Sequence, residues 1–188
     1  VVASESCALD HVGAKLVRDV KPGEAVQLGP KGIQTIYQHV STQPNALCVF
    51  EHIYFARPDS IIDEKLVYEA RVSMGIELAK EHPVEADMVV GVPDSASPAA
   101  SGYAQQSGIP YGDALVKNRY VGRTFILPDQ RERELGVRKK LNPMSSLVRG
   151  KRLIVVDDSI VRGTTTPHVV RLLKDAGATE VHLRICAP

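Results

Sequence analysis

The chain has almost no excess of charge of either sign. Its 188 residues carry 23 lysines and arginines against 22 aspartates and glutamates, a formal net charge of +1. Without a one-signed field there is no global attraction to nucleic acid or to a membrane surface, so small molecules and other proteins are the expected partners. No apolar run approaches the ~20 residues that a membrane helix needs, and the first residues lack the basic and then apolar pattern of a secretion signal. A cytoplasmic location is the expectation. Cysteine is scarce: Cys7, Cys48 and Cys186 are an odd number at wide, irregular spacing, unlike a disulfide framework or a self-contained zinc site, and read as reduced thiols. The six histidines, His11, His39, His52, His82, His168 and His182, show no paired helical spacing suited to a metal and read as structural. Internal repeats and low-complexity tracts are missing too. So are the usual nucleotide motifs: no Gly-Lys-Ser/Thr ends a glycine-rich loop, and no Gly-x-Gly-x-x-Gly follows a first strand.

What is present suits a globular domain with a substantial core: 44% hydrophobic and 24% charged residues. The chain opens on apolar VVAS without an initiator methionine and stops just after VHLRICAP, so a piece of a longer polypeptide is expected. From Val1 to about Val40 the residues read as short strands broken by turn signals, KPGE at Lys21 to Glu24 and LGPKG at Leu28 to Gly32. Cys7, within SESCALD, is expected as a packed thiol on one such strand. The run CVFEHIYF, Cys48 to Phe55, has strand-favouring aromatic and β-branched residues, and ARPDS then turns the chain. Ser60 and Asp63 fit a capping box for a helix over 61–81, with Ile62, Leu66, Ala70, Met74 and Leu78 as its apolar stripe.

Two strand–loop–helix units follow. Asp87 to Val92 is a nearly all-apolar run that meets the polar turn PDSASP and a helix from about Ala99 to Ser107. LIVV after Arg152 enters DDSIVRGTTTP and a helix from Pro167 to Ala176, stopped at Gly177, before another apolar run from Val181 to Ile185. Apolar runs joined by a helix of this length describe a parallel, twisted α/β sheet with helices on both faces. In such sheets ligands bind beyond the carboxyl ends of the strands, so both loops open on one edge. Between the units, Lys117 to Ser146 is rich in lysine and arginine and is expected as a mobile flap.

The strongest chemical signal is VVDDSIVRGTTT, Val155 to Thr166. Small residues and Gly163 let backbone N–H groups approach an anion, Ser159, Thr164 and Thr165 add hydroxyl donors, and the following helix contributes its positive end. Carboxylates beside a phosphate repel it unless they face something else, and a ribose diol or a magnesium ion is the economical partner for Asp157 and Asp158. An Asp-Asp pair after a strand can also be a solvated turn with an N-cap. The whole string, set between an apolar strand and a proline-started helix, is far rarer.

This string resembles the 5-phosphoribosyl 1-pyrophosphate (PRPP) binding motif of type I phosphoribosyltransferases, in the form found in glutamine PRPP amidotransferases. FEHIYFARPDS (Phe50 to Ser60), GVPDSASPAASGYA (Gly91 to Ala104) and KNRYVGRTFILP (Lys117 to Pro128) resemble further signatures of that family, in the same order. The resemblance implies a type I phosphoribosyltransferase fold over 46–188, preceded over 1–45 by the β-rich end of an Ntn-type glutaminase domain. It implies that ammonia, drawn from glutamine in a full-length parent, displaces pyrophosphate from PRPP to give 5-phosphoribosylamine, opening purine synthesis. Asp157 and Asp158 would then meet the ribose hydroxyls and Mg2+, and Ser159, Ile160, Val161, Arg162, Gly163, Thr164 and Thr165 would hold the 5-phosphate. Ser95 would lie on the metal and pyrophosphate side. Lys117, Asn118 and Arg119 would begin a loop that closes over pyrophosphate, with Lys117 and Arg119 catalytic.

Physical chemistry agrees with that assignment, because positive charge builds on the sugar and negative charge on the leaving group; Lys117, Arg119 and Arg123 could stabilise the latter. The family's glutaminase uses a cysteine at its own amino terminus, whereas this chain begins with Val1. In the iron–sulfur branch a cysteine at the position of Cys48 is a [4Fe-4S] ligand, a role for the parent, since one thiolate cannot hold a cluster. Purine nucleotides as feedback inhibitors and a homo-oligomeric parent are also implied. Two other readings share the loop: a salvage phosphoribosyltransferase, which needs a pocket for a base, and a PRPP-binding regulator without catalysis.

Overall fold

A computed structural model of the chain describes residues 1–40, 42, 46–118, 120, 141–161, 163 and 165–187. At its centre is a parallel sheet of three strands, β5 (Met88–Gly91), β8 (Arg152–Asp157) and β9 (Glu180–Ile185), in the order β5-β8-β9. Strand β8 runs between the other two, which is why Leu153 to Val156 are all fully buried. Alternate side chains of a strand point to opposite faces, and here each face has its own helices. Val89, Ile154 and Val156 pack with Leu78, Ala79, Ala99 and Tyr103, on helices α2 (Val67–Glu81) and α3 (Ser97–Ser107). Met88, Val90, Leu153 and Val155 pack on the other side with Val169 and Leu173 of α5 (Thr165–Asp175), together with Val148 of α4 (Ser145–Val148). The expected parallel sheet with helices on both faces is therefore present.

Helices α2 and α3 touch backbone to backbone. A Cβ on Gly75 would lie 1.8 Å from the carbonyl oxygen of Ala99, and one on Gly102 would lie 2.0 Å from that of Val72. Ahead of this body, the LGPKG turn closes an antiparallel hairpin of β1 (Glu24–Gly29) and β2 (Gly32–Gln38), with a register shift at Ala25/Val26. No residue of this hairpin is buried; Ile36 and Tyr37 are both more than half exposed.

Four local expectations need correction. Cys7 is buried as expected, but on a short helix, α1 (Ser6–His11), not on a strand. Cys48 to Phe55 is not a strand either: Glu51–Phe55 forms one wide helical turn, closed by the Ala56 N–H donating to Glu51 O at 3.1 Å. The curl brings the Phe50 and Phe55 rings to 6.1 Å, a contact between residues five apart that an extended chain cannot make. Ser60 and Asp63 form no capping box. Residues 61–66 make a two-pair antiparallel turn, β3 (Ile61–Ile62) against β4 (Lys65–Leu66), with Asp63 and Glu64 at positive φ. Helix α2 starts at Val67, its first N–H groups taken by the carbonyls of Ser60 and Pro58, so no side-chain cap is required. Finally, its buried face is Val67, Arg71, Gly75, Leu78 and Ala79 rather than the Ile62–Met74 stripe. Ile62 and Leu66 belong to the preceding turn, and Ala70 and Met74 are only partly buried.

The basic excursion is bracketed by a short antiparallel pair, β6 (Leu115–Lys117) with β7 (Leu141–Pro143), Lys117 opposite Leu141. Arg119 and residues 121–140, including Arg123, lie outside the described residues.

Candidate functional site

Strands β5 and β8 end together at one edge of the sheet, where the Val92 N–H donates to Val156 O at 2.9 Å. The chain leaves β5 through a tight turn, Val92 to Ala96, into α3. Gly91 allows the approach, since a Cβ there would sit 2.9 Å from Ser97 Cα. The Pro93–Asp94 peptide bond in this turn is cis.

Strand β8 delivers Asp157 and Asp158 to the same edge, and both are buried. Their backbone carbonyls accept the N–H groups of Cys186 and Ala187 at 3.0 Å, which continues the pairing with β9 and leaves the two carboxylates fixed relative to the sheet. Asp158 accepts a short hydrogen bond from Ser95 Oγ, 63 residues away in sequence, and a second from Ser159 Oγ at 2.6 Å. Asp157 accepts the Asp158 backbone N–H at 2.9 Å. Burial pushes the Asp157 carboxyl up to about 7, the neighbouring charge of Asp158 adds to the shift, and the donated N–H opposes it. Cys186 below them is pushed up to about 12, by burial first and then by the two carboxylates, which keeps it a neutral thiol.

The structure thus brings Ser95, Asp157, Asp158 and Ser159 into one hydrogen-bonded group. Lys117 points to the adjoining turn, with Nζ 2.5 Å from Asp94 Oδ2. Beyond Ser159, Ile160 is half exposed and Val161 largely so. Gly163 has φ +66°, the left-handed backbone that favours glycine, and Thr165 opens α5. Arg162 and Thr164 lie outside the described residues. Cys48 is exposed, and among the described residues no group of three or more histidine, cysteine or acidic side chains is placed to hold a metal.

Two participants escaped the sequence reading. Asp94 carries no signal in the sequence beyond its place in the polar turn PDSASP. Arg71 lies on the buried face of α2, 3% exposed, donating Nε–H to His52 O at 2.7 Å and Nη2 to Ala56 O at 2.8 Å. Burial holds its pKa below the usual arginine value, and the charge of Asp158 works against that shift. The available signal was a charged residue on a helix whose face must pack against a sheet.

The donor set at this edge suits Mg2+. Two hard carboxylates and two hydroxyls lie in this group, and burial, followed by the neighbouring charge of Asp158, raises the Asp157 carboxyl, a penalty that a divalent cation relieves. Two protein carboxylates with the rest of the shell from substrate oxygens and water is the usual arrangement for this ion. A groove of about 780 Å³ runs elsewhere, along α2 past Glu69, Glu77 and His82 to Cys186, and does not include the aspartates.

Comparison with known proteins places these features in context. The family model described as "Phosphoribosyl transferase domain" matches residues 70–187. An amidophosphoribosyltransferase of Mycobacterium tuberculosis (strain ATCC 25618 / H37Rv) is 57% identical over all 188 residues, which cover 35% of that protein. One of Archaeoglobus fulgidus is 55% identical, with 41% of its length covered. A solved structure, glutamine PRPP amidotransferase from B. subtilis complexed with ADP and GMP, superposes with a TM-score of 0.87 at 53% identity, over 98% of this chain and 40% of that one. The chain therefore spans well under half the length of these relatives.

Proposed function

The chain belongs to the phosphoribosyl transferase domain family, and on that premise we propose that it is the PRPP-handling part of an amidophosphoribosyltransferase. The reaction is displacement of pyrophosphate from PRPP by ammonia, giving 5-phosphoribosylamine, with ammonia supplied from glutamine in a longer parent. The observation that carries this reading is the buried Asp157–Asp158 pair at the end of β8, hydrogen-bonded to Ser95 of the neighbouring turn and followed by a glycine-bearing loop into a helix N-terminus.

Each group then has a task. Asp157 and Asp158 accept hydrogen bonds from the ribose hydroxyls, which fixes the sugar. The backbone from Ser159 to Thr165, with its hydroxyls and the N-terminal end of α5, receives the 5-phosphate. Lys117, with Arg119, faces the pyrophosphate and stabilises the negative charge that develops as it leaves. Asp157, Asp158, Ser95 and Ser159 would hold Mg2+, whose charge favours departure of the pyrophosphate. The names of the relatives favour this over a salvage transferase or a non-catalytic regulator.

Residues 1–45 are read as the end of a glutaminase domain and 46–188 as the transferase domain. A cytoplasmic, homo-oligomeric parent inhibited by purine nucleotides, with Cys48 as one ligand of a [4Fe-4S] cluster, completes the proposal. The test is pyrophosphate release from PRPP and Mg2+ with ammonium as nitrogen donor. Ammonium-dependent release, lost in the Asp157→Asn, Asp158→Asn double variant, is the expected result; PRPP turnover untouched by that variant would overturn the reading.

A further inference from the structure

Asp94 lies one residue before Ser95 in the turn between β5 and α3, and Lys117 comes to it from the end of β6, 23 residues on. Their 2.5 Å ion pair sits at the open edge of the sheet: the side chain of Asp94 is 75% exposed and that of Lys117 35%. Burial does not force this pairing, because a solvated carboxylate loses little without a lysine partner. The carbonyl of Asp94 accepts the Ser97 N–H at 3.4 Å, which places Asp94 just ahead of α3, where the helix dipole favours an anion. This one carboxylate takes the lysine that the turn offers a ligand and adds negative charge just ahead of the N-terminal end of α3.

We infer that Asp94 is an internal competitor for the pyrophosphate moiety of PRPP, an affinity-determining residue that pairs Lys117 in the free protein and yields it when the ligand arrives. The inference rests on the proposed role of Lys117 and adds a residue with the opposite effect. No covalent step is involved: Lys117 exchanges a carboxylate oxygen for a phosphate oxygen, and Asp94 passes to water. Asp94 also remains a negative charge beside the bound anion, so both consequences weaken binding. Free pyrophosphate, as product, is released more readily for the same reason.

The test is calorimetric titration of the protein with inorganic pyrophosphate in Mg2+, for the unmodified chain, Asp94→Asn, Lys117→Met and the double variant. Asp94→Asn is expected to tighten binding by about two- to fivefold, the size of an exposed ion pair, and by less at 1 M salt. Asp94→Ser, which removes the same charge with a different side chain, gives the same sign. In the Lys117→Met background the gain from Asp94→Asn falls by at least half, because the pair it would release no longer exists. Unchanged or weaker binding by both Asp94 variants, with Lys117→Met weakened, would overturn the competitor role alone. Undiminished binding by Lys117→Met would instead refute the role of Lys117 and with it this inference.

Discussion

The two strand–turn–helix units deliver their turns to the same edge of the sheet but hold them by opposite means. In the first, β5 and α3 are secured by apolar burial and by helix contact so close that Gly75 and Gly102 have no room for a side chain. Its turn is five residues long. In the second, β8 ends on two buried carboxylates, the loop that follows is exposed at Ile160 and Val161, and α5 buries only Val169 and Leu173. Backbone-close helix packing marks the first unit, and a pair of buried carboxylates marks the second. Paired buried carboxylates are a poor way to stabilise a fold, and the proposed binding of PRPP and Mg2+ gives them a reason to stand at a strand end.

The largest test of this contrast is in the first unit. Gly75→Ala places a methyl group against the Ala99 carbonyl, where neither backbone can yield without separating the helices. A loss of about 3 kcal/mol or more in urea unfolding is expected; a loss under ~1 kcal/mol would show that the helices are not so closely joined. Arg71 ties α2 to the turn at 51–56, and Arg71→Met leaves the His52 and Ala56 carbonyls without their donor. The expected cost is about 2–3 kcal/mol by the same measurement, with Arg71→Lys recovering part of it.

In the second unit a substitution should stabilise. The Asp157 carboxyl is raised from 3.8 to about 7 on folding, so its contribution is full below pH ~4 and is lost as pH rises through 7. Without Mg2+, Asp157→Asn should therefore be more stable than the unmodified chain at pH 8 by about 2 kcal/mol, and the difference should shrink toward pH 5. Destabilisation at pH 8 would contradict the burial argument. Smallest is Gly163→Ala, which puts a side chain at φ +66°. A cost of about 1 kcal/mol is expected from the left-handed backbone, together with weaker PRPP binding in a titration.

The central strands were legible because Met88 to Gly91 and Leu153 to Val156 are buried on both faces and so read as short continuous apolar runs. The turn at Leu28 to Gly32 between two short strands was legible from its residues, while their antiparallel pairing comes from the structure. The buried face of α2 was not, because its key positions are a glycine chosen for space and an arginine chosen for its hydrogen bonds, and neither registers in an apolar pattern. The 48–55 segment has strand-favouring residues, but its rings meet one another and its carbonyls meet Arg71, contacts that no local propensity encodes. At the site, the loop from Asp157 was visible as a string. Its junction with Ser95 spans 63 residues and the Asp94–Lys117 pair 23, distances over which only the fold brings groups together.

The most direct measurement of the central claim is calorimetric titration with PRPP in Mg2+, comparing the unmodified chain with the Asp157→Asn, Asp158→Asn double variant. Saturable, Mg2+-dependent binding that weakens by at least about 100-fold in a folded double variant is the expected result, since two charged contacts at roughly 1.5–3 kcal/mol each are removed. Binding of equal strength in both proteins would contradict the assignment of this loop to PRPP.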